Sequence, residues 1–231
     1  MAVGGNACGL GDRHGWQFVQ SCPPLLLWVL DQCGRSDMAT AKNKVFEFSG
    51  INHLALVCRD MARTVEFYSN VLGMPLIKTL DLPHGFGQHF FFDIGNGDAL
   101  AFFWFPNAPE AAPGVASAGR LPGEGNIASA HGSMNHVAFN VPAERFDEYY
   151  QKLQARGVHV SRIMNHDESE SQVSETVSPT TFVRSFYFFD PDGICLEFAC
   201  WTRALDPKID VRHEPVDARG QKRAVRLEPA E

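Results

Sequence analysis

From residue 45 onward the apolar and polar positions follow an order that occurs twice. "VFEFSGINHLALVC" alternates as a strand, with Ile51, His53, Ala55 and Val57 on one face and Asn52, Leu54 and Leu56 on the other. Asp60 then offers an N-cap to a helix carrying Met61, Val65, Phe67, Tyr68 and Leu72, closed by Gly73. Strands follow at "MPLIKTL", "GQHFFFDIG" and "DALAFFWF", the last two joined by the hairpin signal "GNGD". A stretch rich in Pro, Gly and Ala (106–131) has no sustained period and reads as a linker or long surface loop.

The order then begins again. "MNHVAFNV" is a strand, and "PAERFDEYYQKLQARG" is a helix with Phe146, Tyr149, Tyr150 and Leu153 on one face. "VHVSRI", "VRSFYFFD" and "ICLEFACW" are strands, the last two joined by the tight turn "DPDG". The chain therefore predicts an α+β fold of two βαβββ modules forming a curved mixed sheet, module one at 46–105 and module two at 132–202. Aligning "NHLALV" with "NHVAFN" sets His53 on His136, and aligning the closing strands sets Ala101 on Glu197. The second module is the longer, and the excess falls in the polar stretch 165–180, as a loop insertion should. Residues 1–44 form an N-terminal extension without periodicity, expected to be disordered. Residues 203–231 read as a charged, mobile tail.

Charge narrows the partners. Against 27 acidic residues stand 20 basic ones, a net −7, which disfavours nucleic acid and anionic membrane as main partners. The 6 cysteines show no CxxC spacing, as reduced thiols in a cytoplasmic protein would. "LLLWVL" (25–30) is too short to span a bilayer and lacks the flanks of a signal peptide; Met38 could serve as the start of translation. The 18 phenylalanines serve mainly a core, with some left to wall a pocket.

The chemistry lies in His53, His136 and Glu197. A single strand histidine is ordinarily a core residue; two at equivalent points of a repeat are not so easily dismissed. Glu197 sits in "ICLEFAC", apolar enough to be buried on both faces, and an ionised carboxylate there needs a partner. Two imidazoles and one carboxylate on one concave surface would hold a divalent ion and leave positions open for substrate or oxygen.

"INHLALVCRD", "EFYSNVLGM", "FFDIGNGD", "MNHVAF" and "SFYFFDPDGICLEF", in that order within a duplicated frame, resemble the vicinal oxygen chelate superfamily of glyoxalase I, bleomycin-resistance proteins and type I extradiol dioxygenases. The resemblance covers 49–202 and implies His53, His136 and Glu197 as metal ligands. Glyoxalase I has a fourth ligand where this chain has Ala101, whereas extradiol enzymes use two histidines and one glutamate. The resemblance thus implies an Fe(II)-dependent, extradiol-type ring-cleaving dioxygenase acting on a small catechol-like substrate with dioxygen, with Mn(II), Zn(II) or Ni(II) as other metals. Tyr187 matches the tyrosine that handles the substrate hydroxyl. The acid–base histidine of module one has no counterpart, and another falls at Ser178. His89 and His131 are the candidates to replace them; His166 reads as solvated in the polar loop, and His84 and His159 as surface residues. The alternatives are a glyoxalase-like lyase or isomerase and a binding protein of the bleomycin-resistance kind. Two modules in one chain could close the site without a partner, and homodimerisation is left open.

Overall fold

The computed structural model describes residues 50–225. The expected N-terminal extension and the first residues of the opening strand lie outside them. In module one β1 (His53–Cys58) leads into α1 (Met61–Val65), which continues as a π-helical turn over Glu66–Val71. The Asp60 side chain accepts from Arg63 N at 3.1 Å, as the N-cap signal requires. Three strands follow, β2 (Leu76–Leu82), β3 (Gly87–Gly95) and β4 (Asp98–Trp104). The β3–β4 hairpin turns through Asn96 (φ 59°) and Gly97 (φ 84°), the left-handed pair that "GNGD" predicts.

Module two repeats this with β5 (Val137–Asn140), α2 (Phe146–Ala155), β6 (Met164–His166), β7 (Val173–Ser174), β8 (Val183–Phe189) and β9 (Cys195–Trp201). The expected strand "VHVSRI" is reduced to a bridge between Val160 and Phe188. There Ser161 bonds Tyr187 through its hydroxyl as well as its backbone, and this breaks a regular ladder. Two short strands form instead within the stretch read as an insertion. The segment expected as a mobile tail folds back in part: a short helix, α3 (Pro207–Asp210), is tied by Arg203 to Asp210 at 2.6 Å.

The strands form two mixed sheets, of order β1-β4-β3-β2 and β5-β9-β8-β6-β7. The opening strand of each module runs parallel to the closing one, so the helix and intervening strands are its crossover. Register repeats with the topology. Ala55 lies opposite Ala101 in the first sheet, and Ala138 opposite Glu197 in the second. Since His53 precedes Ala55 by two residues, as His136 does Ala138, the alignment made from the sequence holds in space.

One core joins the modules. Leu54 and Leu56 point inward and Cys58 is buried, while His53, Ala55 and Val57 face outward. Tyr68 packs on Phe102 (ring centroids 4.8 Å apart), and Phe186 packs on Phe146, Tyr150 and Phe198. Most of these rings are fully buried, the use expected for most of the phenylalanines. Contacts of this kind add about 0.5–1.5 kcal/mol each beyond area burial.

The turn "DPDG" does more than reverse the chain. Tyr68 of module one donates its hydroxyl to Asp190 at 3.1 Å, and Arg59 N donates to Asp192 at 3.0 Å. Burial pushes the Asp190 carboxyl up to about 6, outweighing the backbone N–H groups of Asp192 and Ile194 that bond it. The native state therefore holds this proton more tightly than the unfolded chain, and Asp190 takes stability away as pH rises through roughly 4 to 6. Asp190→Asn keeps an oxygen for both N–H groups and has no charge to bury. Urea melts at pH 4 and pH 7 should show the variant gaining about 2 kcal/mol on the native protein between the two. Parallel pH dependence in both proteins would show that Asp190 ionises normally.

Candidate metal centre

Glu197 lies in the middle of β9 and is 5% exposed. His136, just before β5, brings Nε2 to 2.9 Å from Glu197 Oε2. Ser185, on the neighbouring β8, donates its hydroxyl to the other oxygen, Oε1. Tyr187 lies directly across the ladder from Glu197, and its ring meets that of His136 edge to face at 5.7 Å. Burial alone would raise the Glu197 carboxyl, but the polar side chains of His136, Ser185 and Tyr187 around it hold it below the usual range. Tyr187 is shifted the other way: burial and the Glu197 charge push its hydroxyl well up, so it stays protonated throughout the physiological range. Period 2 in β8 and β9 explains the cluster, since Ser185, Tyr187, Cys195, Glu197 and Ala199 alternate with the core residues Phe186, Phe188, Leu196 and Phe198.

His53 lies elsewhere, exposed on the first sheet, with its ring edge to face on Phe91 at 5.6 Å. Phe91 meets His89 at 4.2 Å, and His89 stacks on Phe103 at 3.6 Å with 13° between the planes. His89 Nε2 is buried without a hydrogen-bond partner, and burial, then the nearby His53, lower its proton affinity. Among the described residues no group of three or more His, Cys, Asp and Glu is placed to hold a metal. Among the described residues the chain joins His136 to Glu197 and sets His53 apart from them. The two histidines open different sheets, β1 in the first and β5 in the second.

His131 is exposed in the turn before β5. His166, read as solvated, is instead half-buried at the end of β6, with Nε2 3.4 Å from the Tyr187 hydroxyl. Burial lowers its proton affinity while the Glu197 charge works against that shift. The sequence signal was the period of "MNH", too short within a polar stretch to mark a strand. His84 and His159 are exposed, the latter 3.0 Å from Glu124.

A family profile described as "Glyoxalase/Bleomycin resistance protein/Dioxygenase superfamily" matches residues 50–198. The chain belongs to this superfamily. Among curated relatives, the superfamily chain is 24% identical over 147 residues to "Uncharacterized protein YwkD" of Bacillus subtilis (strain 168), covering 64% of this chain and 93% of that protein. It is 27% identical over 113 residues to "Putative ring-cleaving dioxygenase MhqE" of the same organism, covering 47% of this chain and 32% of that protein. It is 26% identical over 160 residues to "Metallothiol transferase FosB" of Lysinibacillus sphaericus (strain C3-41), covering 69% and 86%.

A divalent metal, which the superfamily implies, suits the Glu197 cluster. His136 Nδ1 lies 2.9 Å from Asn135 Oδ1, an atom that can only accept, so Nδ1 carries the ring proton. Nε2 and the carboxylate are then both acceptors facing each other, and a proton or a cation must lie between them. Adjacent donors on an octahedral ion with bonds of about 2.1 Å are about 3.0 Å apart, which matches the observed 2.9 Å.

Proposed function

We propose that this superfamily member is an Fe(II)-dependent, extradiol-type dioxygenase that opens a small catechol-like ring, with His136 and Glu197 of one copy and His53 of a second as its metal ligands. The observation that carries this is the His136–Glu197 pair, closed by Ser185 and Tyr187 and one donor short of a complete set. Ala101, equivalent to Glu197 in the first module, offers no donor and leaves room for two substrate oxygens and dioxygen. The likeness to a putative ring-cleaving dioxygenase supports the same reaction class.

A second copy is favoured by the face that bears His53. Ile51, Val57, Leu80 and Phe86 are 63%, 49%, 39% and 67% exposed there, an apolar surface that a monomer would leave in water. Two-fold pairing would cover it and complete two identical sites at once.

When bound, the metal lowers the pKa of neighbouring substrate oxygens and stabilises their negative charge. The side chains supply the rest. Tyr187, held neutral, donates its hydroxyl to the oxygen beside Glu197, with His166 Nε2 behind it as the next acceptor. His89, neutral and with Nε2 unpaired, is the acceptor on the His53 side, and Phe91 and Phe103 wall the ring there. His131, exposed in its turn, is the weaker candidate for a base.

Anaerobic loading with Fe(II) followed by air and a panel of catechols tests the proposal. A yellow ring-opened product is expected, and Tyr187→Phe should lower kcat about 100-fold or more with its iron content unchanged. Stoichiometric iron with no catechol turnover, but isomerisation of a hemithioacetal, would reassign the site to lyase chemistry. No divalent ion taken up at all would leave a binding protein.

A further inference from the structure

Why each of the two ligand histidines of the proposed site follows an asparagine is answered by the side chains. His53 Nδ1 lies 2.8 Å from Asn52 Oδ1, and His136 Nδ1 lies 2.9 Å from Asn135 Oδ1. Neighbouring side chains within a strand point to opposite faces and do not bond in this way. Here both asparagines sit just before the regular ladder, Asn52 in a bend and Asn135 in irregular chain, so each amide can fold back along the next ring.

The direction of the second amide is fixed from outside. Asn135 Nδ2 donates to the Ile127 carbonyl at 2.7 Å and to Ser129 Oγ at 3.1 Å, so it is Oδ1 that meets His136. Its backbone is held too: the Asn135 carbonyl accepts from Ala118 N at 3.1 Å and from Ser117 Oγ at 3.0 Å. Ser117 Oγ in turn accepts from Cys195 N at 2.9 Å, two residues before Glu197. The loop 106–131, featureless in sequence, thus ties Asn135 to the strand that carries the carboxylate. In the first module the Asn52 carbonyl is held by Ala99 N at 3.0 Å.

We infer that Asn52 and Asn135 are positioning residues that fix the tautomer of His53 and His136, placing the proton on Nδ1 and leaving the Nε2 lone pair to face a divalent cation. The inference rests on the proposal that both histidines are ligands. In water a neutral histidine ring favours the proton on Nε2, which would block that nitrogen as a donor. An amide oxygen beside Nδ1 reverses the preference, because it rewards only the N–H form there. Partners of this kind on the far ring nitrogen commonly change metal affinity tenfold to a hundredfold when removed.

Long-range 15N–1H correlation spectra of the full metal-free chain at mildly alkaline pH read the tautomer directly. Signals are assigned by their loss in His53→Ala and His136→Ala. His53 is expected as the Nδ1–H form, and His136 as a ring that keeps Nδ1–H while a further proton lies between its Nε2 and Glu197. Asn52→Ala, at an exposed position, should return His53 to mainly Nε2–H and weaken Mn(II) binding about tenfold or more, whereas Asn52→Asp, which keeps an accepting oxygen, should retain the Nδ1–H form. The decisive variants are those at Asn52, since Asn135→Ala and Asn135→Asp both remove the amide donation to the Ile127 carbonyl as well. An Nε2–H form of His53 or a His136 ring without its Nδ1 proton in the native protein, or an unchanged His53 tautomer in Asn52→Ala, would overturn the inference. A native protein with the expected tautomers that takes up no Mn(II) would instead overturn the proposed metal site, and the two failures are distinct.

Discussion

His53→Ala and Glu197→Gln, each inactive alone, are expected to restore activity when co-expressed. If the ligands come from two copies, each homodimer of either variant lacks a ligand in both of its sites. A mixed dimer is different. One of its sites takes His53 from the Glu197→Gln chain and the His136–Glu197 pair from the His53→Ala chain, and is intact; the other site carries both lesions. With random pairing half of the dimers are mixed, so about one quarter of native metal content and turnover should return. The expectation follows from two observations, that His136 and Glu197 meet at 2.9 Å within one chain and that no third ligand joins them among the described residues. Tagging the two variants differently and purifying the mixed dimer should raise recovery to about one half. A mixture as inactive as its parents, from a preparation shown to contain mixed dimers, would mean that a single chain assembles the whole site.

The duplication behind this experiment was legible in the sequence because it is written in side-chain period. Apolar residues at alternate positions fixed which face of β1 turns outward, and with it His53, Ala55 and Val57. The equivalence of Ala101 and Glu197 was legible too, and the matching registers Ala55–Ala101 and Ala138–Glu197 bear it out. How the two sheets sit was not legible, since a βαβββ pattern satisfies its own hydrogen bonds in either arrangement and the choice is made by packing between modules. Tyr68 on Asp190 and Arg59 on Asp192 are long-range bonds that join a helix to a turn, and no local period announces them. His166 was missed for another reason. Its strand is three residues long within a polar run, and its position across from Val183 and beside the Tyr187 hydroxyl is set by the ladder with β8. Asn52 and Asn135 were visible as a repeated pair, but their role depends on which atom of each amide faces the ring.

Ala101→Glu should turn the open coordination position into a filled one, with opposite effects on stability and turnover. Ala101 is fully buried, opposite Ala55 on one side and Phe91 on the other, on the face that carries His53. Without a cation the new carboxylate has no partner, and removing it from water should cost about 3–5 kcal/mol, seen as a lower melting temperature of the metal-free variant. With Mn(II) or Fe(II) present, much of that loss should be recovered, because the added oxygen becomes a fourth ligand. The same oxygen then stands where a substrate or dioxygen atom must bind, and ring cleavage should fall at least about 100-fold while the ion is held more tightly. Ala101→Leu provides the contrast: it also crowds the site but has no donor, so its destabilisation should be indifferent to metal. Equal melting shifts of the two variants with and without the ion would show that position 101 does not face the metal.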